Sequence, residues 1–402
     1  MNANESFISL HRSDDVRHLA LEPVPEEVDI KYCLQQIEGW QTAQKKLPLW
    51  ANTEGIIFPK RLSMEQCSSQ QTASYKRSVV ERLFPDAEAR TAMADLTGGF
   101  GVDFSFIAPL FMEAVYVEEQ PALCELARHN LPLLGLRQAK VFTPDSAPAK
   151  DDYAFIYLDP SRRNENGKKI VALEECSPNI VMLQEKLLRQ AEKIMVKLSP
   201  MLDISLALKQ LRGVREVHVV GVEGECKELL FVLSSHSGTQ EVSFHCANLG
   251  TQSSPFICNQ SDRLIPPNVL PEEVELTGGF LHEPNACILK AGVQEALAER
   301  FGARKLHPLS NLYFSPKPLE GTQGLFRSFQ ITTWSDFGKR NIRQMLGNLK
   351  QANLTVRNFP SSVADLRKKL RLAEGGNTYL FATTNSKGQH ILIHTLKYEE
   401  NE

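Results

Sequence analysis

None of the eight cysteines (33, 67, 124, 176, 226, 246, 258 and 287) stands in a Cys-x-x-Cys pair, and no histidine lies at zinc-finger spacing from one. That excludes the usual structural zinc frameworks, and no metal is expected; the thiols read as buried and free. No apolar run approaches the roughly 20 residues of a membrane span. The opening Met1-Asn2-Ala3-Asn4-Glu5-Ser6 has neither a basic n-region nor an apolar h-region. The expectation is a cytoplasmic chain without membrane contact and without disulfides. Gly-x-Gly-x-x-Gly is missing, as is a phosphate-binding Gly-Lys-Ser/Thr, which argues against dinucleotide and P-loop chemistry. Tandem repeats and low-complexity tracts are absent as well.

What is present is ordinary in bulk and uneven in detail. The 402 residues are 42% apolar and 23% charged, enough for two or three globular domains. The net charge of −3 hides an asymmetry. From Arg327 to Arg371 ten Lys/Arg face two Asp/Glu, a net of +8, so the remainder carries −11. A basic module on an acidic body points to a polyanion surface.

Residues 1–28 are polar, carry Pro23 and Pro25, and show no period, so they read as a loose lead-in. Ile30, Cys33, Leu34, Ile37 and Trp40 then recur at helical spacing over Asp29–Leu47. A second helix follows Ser68-Ser69, which supplies an N-cap, and stops before Pro85. From residue 90 strands and helices alternate, which indicates a parallel sheet. The strands end at Asp95-Leu96, at Val117 before Glu118-Glu119, at Phe142 before Pro144-Asp145, at Leu158 before Asp159-Pro160, and at Lys197 before Ser199-Pro200. Two further strands, Val214–Val222 and Glu228–Leu233, are separated by too few residues for a crossover helix and are therefore antiparallel. Beyond Pro266 to Pro271 the reading places Cys287-Ile288-Leu289 as a strand before a helix from Val293 to Phe301. A second β/α stretch runs from Ser328 to Leu396.

Chemistry gathers at the strand ends. Asp95, Glu118, Asp145 and Asp159 stand at four successive ones, the edge where open α/β sheets bind ligands. A crevice rimmed by acids suits a ligand rich in donors, such as ribose hydroxyls, an exocyclic amine or an ammonium. Between the first strand and its helix lies Asp95-Leu96-Thr97-Gly98-Gly99-Phe100-Gly101. Its glycines permit close backbone approach and positive φ.

These residues resemble class I S-adenosylmethionine-dependent methyltransferases. Asp95–Gly101 is similar to their first motif, Tyr116-Val117-Glu118-Glu119-Gln120-Pro121 to the second, Pro144-Asp145 to the third and Asp159-Pro160-Ser161-Arg162 to the fourth. The resemblance spans about residues 90–235 and implies a Rossmann-like α/β sheet with an antiparallel last strand. It implies S-adenosylmethionine as cofactor. Asp95, Thr97, Gly98, Gly99 and Gly101 would line its methionine end, Glu118 its ribose, and Asp145 its adenine amine, with Phe100 or Ser146 nearby. Asp159, Pro160, Ser161 and Arg162 would face the methyl acceptor. Ser161 and Arg162 depart from the second proline and aromatic of base-amine methylating relatives. Asp-Pro-Ser-Arg is also similar to the Asp-Pro-Pro-Arg of pyrimidine C5 methyltransferases, which need a cysteine; Cys176 is nearby, although a buried thiol is the plainer reading. Lys197 borders the same strand end.

The basic segment around Asp365-Leu366-Arg367-Lys368-Lys369-Leu370 resembles the THUMP-like domain attached to a small bacterial group of methyltransferases, and residues 279–320 resemble the ferredoxin-like insert found beside it. The expected organisation is a helical N-terminal region over residues 1–88, a methyltransferase domain over 89–265, an α+β ferredoxin-like domain over 266–322 and a THUMP-like domain over 323–402. The expected activity is methylation of a base in structured RNA (tRNA or rRNA), with RNA held through residues 327–371. Two alternatives stay open: a small-molecule methyltransferase whose C-terminal domain serves dimerisation, and a non-catalytic RNA-binding protein.

Overall fold

The structure, a computed structural model, describes residues 2–148, 150–161, 173–235, 241–251 and 254–399. The chain forms two compact units, residues 1–215 with 230–239, and residues 216–229 with 240–402.

The first unit opens with helices rather than a loose lead-in. α1 (Ala3–His11) is started by a capping box in which Asn2 and Glu5 satisfy each other's backbone N–H groups. Asn4 Oδ1 also accepts the Asp29 N–H at 2.8 Å, which ties α1 to the start of α3. The sequence shows no period here because α1 buries none of its residues; capping and hydrogen bonds hold it. Helices α2 (Val16–Leu19), α3 (Ile30–Lys46), α4 (Pro48–Ala51), α5 (Arg61–Gln66) and α6 (Gln70–Leu83) follow. Ser69 caps α6, its side chain accepting from the Thr72 N–H at 3.2 Å.

Five strands then alternate with helices: β1 (Ala92–Asp95), α7 (Val102–Ile107), β2 (Glu113–Val117), α8 (Pro121–Leu133), β3 (Ala139–Phe142), β4 (Tyr153–Leu158), α9 (Ile180–Gln190), β5 (Ala191–Leu198) and α10 (Ile204–Gln210). All pair in parallel, in the order β3-β2-β1-β4-β5. Every residue of β1 and β4 is buried, which explains their unbroken apolar runs. Parallel pairing brings the C-terminal ends of these strands to one edge. The order reverses between β1 and β4, the switch point where such sheets open a crevice.

β6 (Val214–Val222) and β7 (Glu225–Ser234) are joined by Glu223-Gly224, both at positive φ, the two-residue turn that matches strand twist. The Ser234 N–H donates to the Gly213 carbonyl at 2.9 Å, as the antiparallel register requires.

In the second unit β6 pairs in parallel with β8 (Ser243–Leu249), which pairs antiparallel with β9 (Phe256–Asn259). A seven-stranded sheet follows, built from β10 (Phe280–Pro284), β11 (Arg304–Lys305), β12 (Tyr313–Ser315), β13 (Phe326–Asp336), β14 (Asn353–Val356), β15 (Thr378–Thr384) and β16 (His390–Tyr398), in the order β11-β12-β10-β13-β16-β15-β14. Helices α11 (Ala286–Ala291), α12 (Gln294–Phe301), α13 (Lys339–Leu346) and α14 (Val363–Leu370) accompany it. Cys287-Ile288-Leu289 lies in α11, not in a strand. Asn285 caps that helix and Gly292 ends it in the left-handed region, so its short apolar run belongs to a buried helical turn.

Candidate active site

Asp95 closes β1 and is 1% exposed. Its Oδ1 accepts from the Thr97 N–H at 2.9 Å. Burial pushes its carboxyl well above the usual range, the Thr97 N–H opposes this, and Asp103 and Asp159 reinforce it. The Thr97 hydroxyl in turn accepts the Asp159 N–H at 2.6 Å, so one side chain bridges the ends of β1 and β4.

The glycine turn is shaped by Tyr116. A Cβ on Gly98 would lie 2.2 Å from the ring of Tyr116, which is fully buried and donates its hydroxyl to the Gly99 carbonyl at 2.5 Å. Gly99 has φ +60°, and its added Cβ would make only an ordinary contact, with the Thr97 carbonyl oxygen at 3.8 Å. The Gly99 N–H donates to Glu118 Oε2 at 2.7 Å and the Gln120 N–H to Oε1 at 2.8 Å. A carboxylate offers about four lone-pair directions, so both oxygens keep accepting capacity for a ligand. Gly101 takes φ +91° and starts α7. Phe100 turns into an aromatic cluster, its ring 4.6 Å from Trp50 and 6.4 Å from Phe58. This locks the loop to the N-terminal helices. Asp145 sits exposed in the turn Pro144–Ser146 past β3.

Past β4, Asp159 is about one-third exposed and accepts a short ion pair from Lys197 of β5. Pro160 is buried, and Ser161 pairs with Ser177 through backbone bonds of 2.7 and 3.0 Å. Cys176 is buried. Arg162 lies outside the described residues.

Sequence reasoning missed the polar cluster beneath the turn. Asp103 of α7 pairs with the fully buried Lys76 of α6 at 3.0 Å and accepts from Ser68 and Tyr157, each at 2.7 Å. Burial raises the Asp103 carboxyl, but Lys76, Lys197 and the two hydroxyls outweigh it and leave it below the usual range. The available signal was faint: one lysine on a helix whose neighbours Ala73, Val79 and Val80 are core.

Asp95, Thr97, Gly98, Gly99, Glu118 and Asp159 thus meet at the β1–β4 switch point, an acceptor-rich edge. Asp145 occupies the same sheet edge farther out, and Phe100 is turned inward.

Residues 326–397 match a THUMP domain-like family model and residues 280–321 a ferredoxin-like domain model. The crystal structure of a Porphyromonas gingivalis W83 protein, described as a candidate methyltransferase, is similar with a TM-score of 0.82 and 32% identity, covering 99% of this chain and 98% of that one. An uncharacterised S-adenosylmethionine-dependent methyltransferase of Mycobacterium tuberculosis is 25% identical over 309 residues, 76% of this chain and 80% of its own; its counterpart in a second strain matches equally.

Proposed function

The chain belongs to the class I S-adenosylmethionine-dependent methyltransferases that carry a THUMP-like C-terminal domain, and from that premise we propose that it methylates a base in structured RNA. Within this reading residues 1–88 are a helical N-terminal region, 89–265 the methyltransferase domain, 266–322 the ferredoxin-like domain and 323–402 the RNA-binding domain.

The site's donor set fits the cofactor. Its ribose hydroxyls, amine and ammonium are all donors, and the buried strand ends offer acceptors. Glu118 would take the ribose hydroxyls, Asp95, Thr97, Gly98, Gly99 and Gly101 the methionine end, and Asp145 the adenine amine. Bound there, the cofactor supplies an electrophilic methyl group, and correct placement of the acceptor accounts for much of the rate. Asp159, Pro160, Ser161 and Arg162 would hold that acceptor, with the Lys197 pair fixing the Asp159 rotamer.

The observation that carries the RNA reading is the surface of the segment matched to THUMP-like domains. Arg327 and Arg357 are engaged with Glu283. Lys339, Arg340 and Arg343 of α13 stay exposed and, with Gln344, line a recess of about 460 Å³. Lys368, Lys369 and Arg371 are exposed on and just after α14. Basic side chains so arranged neutralise backbone phosphates.

The test is twofold. Methyl transfer from labelled S-adenosylmethionine to total tRNA and rRNA is expected, with a matching mass change in RNA from cells lacking the protein. The triple variant K339Q/R340Q/R343Q is expected to weaken RNA binding and flatten its salt dependence by about 2–3 in log–log slope. Label entering only small metabolites, with the slope unchanged, overturns the reading.

A further inference from the structure

β6 and β8 pair in parallel with Glu216 opposite Ser243 and His218 opposite His245. Alternate residues share a face, so two adjacent rows place four polar side chains together. The residues between them, Val217 and Phe244, belong to the core.

The two imidazoles stack with centroids 4.4 Å apart and planes inclined by 21°. Glu216 Oε2 lies 2.9 Å from His218 Nε2, and Ser243 Oγ lies 3.0 Å from His245 Nε2. His218 is 1% and His245 7% exposed, whereas the Glu216 side chain keeps 13%, so the carboxylate marks the side open to solvent. Glu216, His218 and His245 each present a ligating atom, all within 4.8 Å of one another.

We propose that Glu216, His218 and His245 form a binding site for a first-row divalent transition metal of the zinc type. Two imidazole nitrogens and one carboxylate oxygen suit such an ion and not calcium or magnesium, which take oxygen ligands. Three protein ligands leave one tetrahedral position for a further donor, and Ser243 stands beside it. In tetrahedral geometry bonds of about 2.0–2.2 Å set ligand atoms roughly 3.3–3.6 Å apart. The cluster, whose ligand atoms lie within 4.8 Å of one another, therefore draws in by about 1 Å at its widest, a movement that side-chain rotation at the partly exposed Glu216 supplies. Nothing in the sequence pattern announces the site: Glu216 and His218 stand two residues apart on one strand and His245 on another, and only the β6–β8 register joins them. The site does not depend on the methylation reading.

The test uses the full-length protein stripped with chelator. Calorimetric titration with Zn²⁺ is expected to show one ion per chain. Glu216→Gln and His245→Gln are expected to weaken it by at least the roughly 10–100-fold that loss of a second-shell partner causes. Glu216→Gln nearly preserves shape at a partly exposed position, and its circular dichroism and metal-free Tm serve as the folding control. Cys226, Cys246, Cys258 and Cys287 lie in the same unit and are the competing ligands. Co²⁺ is therefore the second probe. Tetrahedral visible bands without a sulfur-to-cobalt charge-transfer band support the assignment. Absence of stoichiometric Zn²⁺ binding, affinity untouched in both variants, or a strong thiolate band overturns it.

Discussion

At the scale of the residue, Asp95 and Glu118 show how one crevice holds two carboxylates in different circumstances. Asp95 is buried near two other acids, and its raised pKa makes ionisation a cost in the folded state. The sign follows: a carboxyl with a folded pKa above its unfolded one favours folding at low pH, and that benefit is lost as pH rises through the folded value. Asp95→Asn removes the buried charge and keeps the acceptor for the Thr97 N–H. Melting at neutral pH is expected to rise by about 2–4 °C, the usual equivalent of about 1 kcal/mol in a domain of roughly 150–250 residues, while calorimetry shows weaker S-adenosylmethionine binding. A lower Tm would contradict this account. Glu118→Gln tests the second acid. Its amide would set a donor against the Gly99 or Gln120 N–H and lose charge-assisted bonds to ribose. Cofactor Kd is expected to rise by roughly 10–100-fold, about 1.4–2.8 kcal/mol. Unchanged affinity would remove Glu118 from the site.

At the scale of the element, α6 and α7 are joined by the Lys76–Asp103 pair under the glycine turn. Taking away one partner of a buried pair leaves an uncompensated charge, so Lys76→Met is expected to cost about 3–5 kcal/mol in chemical denaturation. Because Asp103 titrates below its ordinary value, its contribution is present above about pH 4 and is lost as pH falls further. The variant should flatten that acid limb. A loss below about 1 kcal/mol would mean that Ser68, Tyr157 and Lys197 hold Asp103 without Lys76. The interior strand β10, flanked by β12 and β13, carries a second pH-sensitive group. His282 is fully buried between Ser328 and Ser315, at 2.8 Å from each hydroxyl, and burial lowers its pKa to about 4. A histidine kept neutral in this way stabilises the fold fully above its unfolded pKa of about 6.5 and progressively less as pH falls towards 4. His282→Gln should show a flatter stability profile between those limits, read from urea midpoints at several pH values.

At the scale of the whole molecule, the chain couples an acid-edged methyltransferase sheet in one unit with a basic surface in the other. The +8 is confined to residues 327–371, and two of its basic residues are spent internally on Glu283. Among the described residues no helix is long and apolar enough to cross a membrane. The salt slope of the α13 variant is the measurement that belongs to this scale, since phosphate contacts add over a surface and not at one residue.

The local grammar of the chain was enough for the elements that position the crevice. Buried apolar runs, caps and a hairpin too short for a crossover specify a parallel sheet with an antiparallel end. In such a sheet the C-terminal strand ends share an edge, so acids at those positions must gather. Local pattern could not reveal α1, whose stability rests on capping and hydrogen bonds instead of an apolar stripe, nor separate a buried helical turn at 287–289 from a strand. Only tertiary structure brought Lys76 to Asp103, turned Phe100 into Trp50 and set His218 beside His245. Those partners lie 27 or more residues apart. Periodicity reports which face of an element is buried; what meets that face is decided by register and packing between elements.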